Sequence, residues 1–463
     1  MTNTLFKNVR LVDPAAGIDG LRDVLVADGY VDRVGESITP EDAAGTLRGG
    51  KRSKPLVVVD GEGLWMWPGL VDGHVHFREP GFTEKETIRT GGMAAAAGGV
   101  TSVVCEPNTD PPLDSVALVR QLAAKARRES PVNVFFKAAM TTGRRGQEPT
   151  NIQALAKEPA VVALSDDGDP VVDPDVMESI CRAAAAAGVL LTPHCEDSAR
   201  AIGAFALGRD PGFRPGEPYT NEDSYIQRDA RLAVHSGCRI HFSHVSLEQS
   251  IEVISRFKKQ ADDPTRMTCE VTPHHLLLSS EQLGEGEVPN VNPPLRSPKD
   301  RRALREALEA GRVDAIASDH APHTAADLLA GATGVVGLET TLGLIMTRFV
   351  WTGEISAERA VNLLSLSPAR IFDLPAGTLK VGSPADLVLI DPSMEWTVNP
   401  EEFRSKARNT AFAGWKLRGK AVATYVRGEE VFSVAGFGDR IVGERVLAEG
   451  ATGERSPSER ADE

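Results

Sequence analysis

Short apolar runs alternate with stretches of helical periodicity through the middle of the chain, from about residue 67 to residue 375. Strands buried on both faces read as continuous apolar runs, so this alternation predicts βα units around a parallel sheet. Eight runs are typical of strands: 64–71, 100–105, 132–138, 160–164, 189–192, 240–243, 268–271 and 315–317. Helical patterns lie between them, at 84–97, 115–128, 174–187, 223–236 and 247–259. Because eight strands close a barrel, the predicted fold is α/β, a TIM-like (β/α)8 barrel.

The two ends of the chain carry a different pattern, of short strands broken by Gly, Asp and Pro turns. Such strands are predicted at 4–11, 23–27, 30–34 and 56–60, and again at 386–390, 421–427 and 430–433. Two strand-rich ends around one barrel predict a small flanking β-sandwich formed by both termini, although two unrelated β appendages remain an alternative. The expected units are 1–66 and 376–441 for the sandwich, 67–375 for the barrel and 442–463 for a disordered tail. The polar, Gly-rich stretch 40–54 predicts a mobile loop.

Composition and charge narrow the class of protein. The 463 residues are 41% hydrophobic and 25% charged, as in globular proteins, and carry a formal net charge of -14. This acidity argues against a nucleic-acid surface, which needs concentrated Lys and Arg. No apolar run reaches about 18 residues and the N-terminus has no signal-peptide pattern, so we expect no membrane association. Five scattered cysteines without a Cys-x-x-Cys pair indicate reduced thiols and a cytoplasmic location.

Polar residues concentrate where the predicted barrel strands end. Barrel enzymes place their chemistry at the C-terminal ends of the strands, so these side chains are expected to converge on one site. In strand order they are His74 and His76, Glu106 and Asn108, Asp166 and Asp167, His194, His244, His274 and His275, and Asp319, His320 and His323. Only His235 and His241 fall elsewhere among the ten histidines, and we interpret both as structural.

Four of these histidines and two aspartates would suffice for two divalent metal ions. One arrangement puts His74, His76 and Asp319 on the first ion and His194 and His244 on the second, with a carboxylate and a hydroxide bridging them. Metal-bound water is acidic enough to give hydroxide near neutral pH, and a second ion can polarise a carbonyl group. The predicted reaction is therefore hydrolysis of an amide-like bond or its reverse, with Asp319 as general base and acid.

Each of the remaining polar residues has a second interpretation. The Asp-Asp-Gly sequence at 166–168 could be a simple turn. His274 and His275 could support the metal ligands from behind or belong to the core. Beside a metal site, Arg78 and Asn108 would suit a substrate carboxylate, although both could be ordinary surface residues.

The polar motifs also resemble, in order, those of the class I dihydroorotases, a branch of the cyclic amidohydrolases. The matching stretches are PGLVDGHVHFREPGFTEKETIRTG (68–91), EPNTDPPLD (106–114), LSDDG (164–168), PHCED (193–197), SHVS (243–246), EVTPHHLLL (270–278), NPPLR (292–296), SDHAPH (318–323) and GVVGLET (334–340). The resemblance implies zinc-dependent interconversion of N-carbamoyl-L-aspartate and L-dihydroorotate in pyrimidine biosynthesis. It further implies one zinc held by His74, His76 and Asp319, a second held by His194 and His244, and Asp167 between them.

Related hydantoinases bridge their metals with a carboxylated lysine on the fourth strand, but LSDDG has no lysine, and spacing to His194 favours Asp167 over Asp166. The family's substrate contacts correspond here to His76, Arg78, Asn108, Asn292, His323, Gly337 and Leu338. A homodimer and association with aspartate transcarbamoylase are the assemblies left open, and segment 324–336 could be a lid over the site or a plain loop. There are two alternative interpretations. The protein could be an allantoinase or hydantoinase, or it could be an inactive structural partner of the transcarbamoylase.

Overall fold

The computed structural model describes residues 3–47, 55–196, 222–281 and 290–445. Eight parallel strands form one sheet in chain order: β6 (Leu70–Val75), β7 (Val100–Cys105), β8 (Asn133–Ala139), β9 (Val161–Ser165), β10 (Leu190–Leu191), β11 (Arg239–Phe242), β12 (Met267–Val271) and β13 (Ala315–Ile316). The first and last strands meet through a parallel bridge between Val75 and His320. The Asp72 carboxylate adds to this closure by accepting the Ser318 N–H at 3.1 Å. The predicted barrel fold is therefore confirmed.

Helices cover the outside of the barrel, and their ends follow capping rules. The described helices of eight or more residues on the barrel are α2 (Ile88–Ala97), α3 (Val116–Glu129), α5 (Pro174–Ala187), α6 (Glu222–Ser236), α7 (Glu248–Lys258) and α9 (Pro298–Glu309). Shorter helices are α4 (Ile152–Leu155), α8 (Pro273–Leu277), α10 (Ala325–Leu329), α11 (Thr341–Ile345), α12 (Ala357–Val361) and α13 (Ser367–Ile371). In α5, Asp173 caps the first turn and Gly188 ends the helix in the left-handed conformation.

A second sheet of nine strands draws on both ends of the chain. Its strands are β1 (Asn3–Asp13), β2 (Ile18–Ala27), β3 (Tyr30–Gly35), β4 (Leu56–Asp60), β5 (Trp65–Pro68), β14 (Leu387–Thr397), β15 (Lys416–Val426), β16 (Glu429–Ser433) and β17 (Ile441–Arg445). The central contact joins β5 from the N-terminal side to β14 from the C-terminal side in antiparallel register. A separate apolar cluster, which includes Phe6, Met66 and Leu389, fills this unit. The prediction that both termini build one β unit is correct.

The first predicted barrel strand, 64–71, is wrong in its extent, because two strands in two sheets occupy this region. β5 pairs with β14 of the sandwich, whereas β6 pairs with β7 of the barrel. Gly69 lies between them, and a Cβ atom there would come within 2.1 Å of the Thr101 hydroxyl oxygen. A continuous apolar run therefore crosses from one unit to the other at a residue that has no room for a side chain.

The predicted loop 40–54 begins as a helix, α1 (Pro40–Leu47). Pro40 occupies the first turn, and Thr39 and Asp42 bond each other's backbone N–H groups in a reciprocal cap. Residues 48–54 lie outside the described part of the chain. At the other end, β17 pairs with β4, so the sheet extends to Arg445, beyond the predicted limit of 441. The rest of the predicted tail, 446–463, is outside the described residues.

None of the helices in the described ranges is long and apolar enough to cross a membrane. The inside of the barrel is filled towards its N-terminal end by Val71, Val104, Ala163, Leu190, Ala315 and Phe372. The polar side chains predicted for the site lie towards the other end of the strands, where the strands pass into their following loops.

Candidate metal centre and active site

The predicted metal ligands lie together at the C-terminal ends of the barrel strands. His74 lies at the end of β6, and the others come shortly after their strands: His76 after β6, Asp167 after β9, His194 after β10, His244 after β11 and Asp319 after β13. Each of the six side chains is at most 6% exposed. The parallel register of the strands places residues that are far apart in sequence within a few ångströms of one another.

Two clusters of ligand atoms are present, and within each cluster the atoms lie within 4.8 Å of one another. One consists of His74, His76 and Asp319, and the other of His74, Asp167 and His244, so that His74 belongs to both. In the first cluster, His76 Nε2 lies 3.2 Å from Asp319 Oδ1. In the second, Asp167 Oδ1 lies 3.3 Å from His74 Nε2 and 3.4 Å from His244 Nε2. His194 Nδ1 borders the second cluster, 3.4 Å from the same oxygen of Asp167. Asp167 thus lies between the two groups of histidines.

The neighbouring Asp166 has a different role. Its carboxylate accepts the Met140 N–H at 2.8 Å and the Thr141 N–H at 3.1 Å, and also bonds the Thr141 hydroxyl. These bonds turn Asp166 away from the histidines and hold the loop after β9 against the loop after β8. Of the two aspartates, Asp167 is therefore the one whose carboxylate faces the cluster.

The charges of the cluster are strongly coupled. Burial alone would raise the pKa of Asp167, but the nearby His74, His194 and His244 lower that pKa well below its usual range. Burial would lower the pKa of His74, yet the carboxylates of Glu106 and Asp167 raise it well above its usual value. Asp319 likewise has a lowered pKa, because its bond from His76 and the nearby histidines outweigh burial. The site therefore favours ionised carboxylates beside the His74 ring, whereas burial lowers the pKa of His244.

A layer of buried charged residues lies beneath His74, and most of these residues were not predicted from the sequence. His74 Nδ1 lies 3.2 Å from Glu270 Oε1 and 3.4 Å from Glu106 Oε1. Lys137, fully buried in β8, forms an ion pair with Glu106, and His241 Nε2 lies 3.0 Å from Glu270 Oε2. A lysine inside the apolar run VFFKAA was the available signal.

Two asparagines approach the cluster from the loops. Asn108 Oδ1 lies 2.9 Å from His76 Nδ1, and its Nδ2 donates to Asp167 Oδ2 at 3.2 Å. Asn292 Nδ2 lies 3.0 Å from His194 Nε2. Both amides therefore contact predicted metal ligands in this structure.

Arg78 and His323 form a neighbouring polar group. Arg78 Nε donates to the Pro322 carbonyl oxygen at 3.2 Å, and Arg78 Nη2 lies 3.2 Å from His323 Nε2. Burial lowers the pKa of Arg78 to about 10, so it remains a cation at neutral pH. Burial and the Arg78 cation lower the pKa of His323 to about 4, so its ring is neutral. This group can bind an anionic substituent next to the histidine cluster.

The backbone of Gly337 has its own partners within the protein. Its N–H donates to His320 Nδ1 at 3.3 Å, and its carbonyl oxygen accepts from the N–H groups of Thr340 and Thr341 at 3.0 Å. A Cβ atom at Gly337 would lie 2.9 Å from the Ser318 carbonyl oxygen. Gly337 thus lets the chain pass close to Ser318, just after β13.

Strained backbone also concentrates here. Arg78, His244 and Asp319 have positive φ angles of 61°, 36° and 47°. Non-glycine residues in this region of φ are uncommon, and such strain persists only where the surroundings hold it in place. The fold therefore fixes these three side chains in unusual directions at the same site.

The donor set fits a divalent metal ion. His74 Nε2 is buried and forms no hydrogen bond, although it faces two carboxylate oxygens. A metal ion between such a nitrogen and such oxygens would satisfy all three, and the Glu270 carboxylate behind His74 is the usual acceptor for a ligand's other ring nitrogen. The set of imidazole and carboxylate donors is one that zinc and similar ions prefer.

Comparison with known proteins gives the family. The amidohydrolase family model matches residues 65–431. The dihydroorotase of Citrifermentans bemidjiense is 38% identical over 440 residues, 93% of this chain and 99% of that protein. The dihydroorotase of Bacillus caldolyticus is 43% identical over 384 residues, 81% of this chain and 89% of that protein. Among solved structures, the L-hydantoinase of Arthrobacter aurescens is similar, with a TM-score of 0.79 and 28% identity over 94% of this chain and 96% of that one. The family model matches the barrel and part of the sandwich, and the two relatives align over 99% and 89% of their own lengths. The chain therefore belongs to the amidohydrolase family.

Proposed function

We propose that the protein is a dihydroorotase, which interconverts N-carbamoyl-L-aspartate and L-dihydroorotate in pyrimidine biosynthesis. The observation that carries the proposal is the convergence of four histidines and two aspartates with the Arg78 cation beside them. Relatives named dihydroorotase, which match 93% and 81% of the chain, support the choice of substrate.

We propose zinc as the metal, with two ions per subunit. His74, His76 and Asp319 would hold one ion, His194 and His244 the other, and Asp167 would contact both. When bound, such ions supply a water that is nucleophilic near neutral pH and a Lewis acid for a carbonyl oxygen. The cluster of His74, His76 and Asp319 supports the first assignment. The position of Asp167 Oδ1, 3.4 Å from both His194 Nδ1 and His244 Nε2, supports the second.

Asp319 is the proposed general base and acid. It is ionised because its pKa is lowered, and it lies 3.2 Å from His76 Nε2 at the edge of the cluster. In the ring-opening direction its carboxylate would accept the proton of the attacking water and deliver it to the ring nitrogen that leaves. Cyclisation would use the same transfers in reverse.

The remaining assigned residues would orient the substrate. The Arg78 guanidinium would bind the carboxylate of dihydroorotate through paired N–H donors, with His323 beside it. The amides of Asn108 and Asn292, together with His76, would line the same side of the pocket. Because both polar backbone groups of Gly337 have internal partners, we assign the backbone contact with the pyrimidine ring mainly to Leu338.

A hydantoinase or allantoinase is the second candidate, since such enzymes would share fold and metals. The solved L-hydantoinase is similar in fold, but its identity of 28% is below that of the dihydroorotase relatives. The Arg78 cation favours a substrate with a carboxylate, which allantoin lacks. An inactive structural role is disfavoured, because all six proposed ligands are present and lie together.

The decisive experiment follows the ultraviolet absorbance of L-dihydroorotate as the zinc-loaded protein opens the ring. Asp319→Asn serves as the comparison, with its zinc content measured. Loss of a general base and acid typically lowers the rate about 10²- to 10⁴-fold. We expect such a loss in kcat at a zinc content equal to that of the wild type.

If the wild type holds zinc but leaves dihydroorotate intact, the proposed substrate is wrong, and allantoin and hydantoins are the next compounds to assay. If Asp319→Asn keeps full activity at equal zinc content, the role proposed for Asp319 is wrong. Careful metal analysis that finds no zinc in active protein would reject the proposed metal.

Location and assembly stay predictions. We propose a cytoplasmic location, supported by five cysteines that are all buried and free. A homodimer or a complex with aspartate transcarbamoylase would be detected by sedimentation of the purified protein alone and with that partner.

A further inference from the structure

A segment from the C-terminal half of the sandwich lies against the substrate side of the barrel. Residues 398–415 connect β14 to β15, outside the predicted barrel region 67–375. Within this segment, the Asn409 carbonyl oxygen accepts the Val336 N–H at 3.1 Å. The connection therefore reaches the loop that leads to Leu338.

The Asn409 side chain joins two loops of the barrel. Its Nδ2 donates to the carbonyl oxygens of Ala321 at 3.1 Å and Gly334 at 3.0 Å. Its Oδ1 accepts the His323 N–H at 3.4 Å. The Asn409 side-chain amide thus uses both its nitrogen and its oxygen to bond backbone groups of the two loops.

The two loops joined in this way are the ones that carry proposed substrate contacts. The first follows β13 and includes His323, whose ring lies next to Arg78. The second pairs with it, since the Ala321 N–H donates to the Val335 carbonyl oxygen at 2.8 Å, and it then leads to Leu338. A shift of either loop would move the proposed pocket wall relative to the histidine cluster.

The segment that presents Asn409 is itself fixed to the barrel by two acidic side chains. Glu339 accepts the N–H groups of Arg404 at 2.8 Å and Ser405 at 3.1 Å. Buried Glu86 bonds the Ser405 hydroxyl and accepts the Lys406 N–H at 3.4 Å. The segment that carries Asn409 is therefore fixed to the barrel by hydrogen bonds to Glu339 and Glu86.

We propose that Asn409 is a positioning residue that sets the distance between the substrate wall, formed by His323 and Leu338, and the metal cluster. The inference rests on the proposed function, which assigns those two residues to the substrate. Asn409 bonds backbone groups only and contacts none of the six proposed metal ligands. Its loss should therefore weaken substrate binding while leaving the metal content intact.

The test compares the wild type with Asn409→Ala and Asn409→Asp in the full-length, zinc-loaded protein. Asn409→Asp keeps the size and the acceptor but loses both donors to Ala321 and Gly334. Asn399→Ala is the matched control, because this exposed asparagine lies in the same segment and bonds only its neighbours Glu401 and Glu402. Measurements are KM and kcat for L-dihydroorotate, zinc content, and hydrogen–deuterium exchange of amides in residues 321–337.

For both Asn409 variants we expect KM to rise about tenfold or more, because misplaced binding groups lose affinity steeply, with kcat changed far less and zinc content unchanged. Amides of residues 321–337 should exchange faster in these variants and not in Asn399→Ala. Should Asn409→Ala fail to fold, the same results are expected from Asn409→Asp.

Exchange in 321–337 equal to that of the wild type would overturn the proposal, as would an unchanged KM. Loss of zinc in parallel with activity would also overturn it, since that result indicates a general structural role. A wild type that binds zinc but does not open dihydroorotate would reject the proposed function separately, and the exchange data would still decide whether Asn409 holds the loops.

Discussion

At the scale of single residues, the charges inside the barrel compensate one another. Glu106 and Lys137 have fully buried side chains and form an ion pair beneath His74. Removing one partner of such a pair leaves an uncompensated buried charge, whereas replacing both by apolar groups of similar size is often neutral. The effect of replacing Lys137 on stability therefore depends on whether Glu106 is present, even though the Lys137 side chain bonds none of the proposed metal ligands.

We predict that Lys137→Met lowers the free energy of unfolding by about 3–5 kcal/mol, because buried Glu106 would lose its ion pair with Lys137. The double variant with Glu106→Met should regain most of this loss. Urea unfolding of the two variants and the wild type measures both effects. As a control, Lys258→Met breaks a half-buried ion pair with Asp314 and should cost about 1 kcal/mol or less. Equal losses in the single and double variants would contradict the prediction.

A residue's place in the site could be predicted where the direction of its side chain follows from the local sequence. His74 and His76 are two residues apart at a strand end, so their side chains point to the same face of the strand. Their position in the barrel follows from this spacing. The contact between His74 and Glu270 joins residues 196 positions apart and depends on how separate strands align. Lys137 and Asn409 were missed for the same reason, since neither lies at a strand end and their partners are distant in sequence.

At the scale of elements, the C-terminal end of one barrel helix packs against the segment that carries Leu338. Gly98 caps the C-terminus of α2 with ordinary right-handed backbone angles, φ -84° and ψ 0°. A Cβ atom at Gly98 would lie 2.1 Å from the Leu338 carbonyl oxygen. The helix and the loop that carries Leu338 are therefore in contact through a position where only glycine fits.

Gly98→Ala should destabilise the protein by about 1–3 kcal/mol through overpacking, and it should raise KM because Leu338 must move. Gly188→Ala is the comparison at the end of α5, where no atom lies within 4 Å of the added Cβ but φ is 71°. That variant should lose about 1–2 kcal/mol from backbone strain with KM unchanged. Thermal unfolding and steady-state kinetics distinguish the two. An unchanged KM in Gly98→Ala would show that Leu338 is not part of the pocket wall.

The elements themselves followed from sequence more readily than their assignment to sheets. Helix α5 was predicted to its final residue, because Asp173, Pro174 and Gly188 mark both ends by local chemistry. The run 64–71 contained no local signal of its division into β5 and β6, since both strands are apolar. Only the partner strands, β14 for one and β7 for the other, separate them.

At the scale of the whole molecule, stability should depend on pH through buried groups with shifted pKa values. Burial, together with nearby His244 and His74 and against the opposing effect of Asp319, lowers the pKa of His274 to about 4. Burial has the opposite effect on acids and raises the pKa values of Asp72 and Asp166 to about 6. His274 favours the folded state at higher pH, whereas the two acids favour it at lower pH. The dependence of the free energy of unfolding on pH therefore combines several groups.

Comparison with His274→Gln isolates one contribution. In the unfolded chain His274 takes up a proton below about pH 6.5, whereas in the folded protein it does so only near pH 4. The stability that the neutral ring contributes is therefore present above pH 6.5 and is lost as the pH falls. Between pH 7 and pH 5 the wild type should lose about 2 kcal/mol relative to the variant. Urea unfolding of both proteins with a chelator present, in steps of pH, measures this difference. If the two curves stay parallel, His274 is protonated equally in both states, and its burial does not hold it neutral.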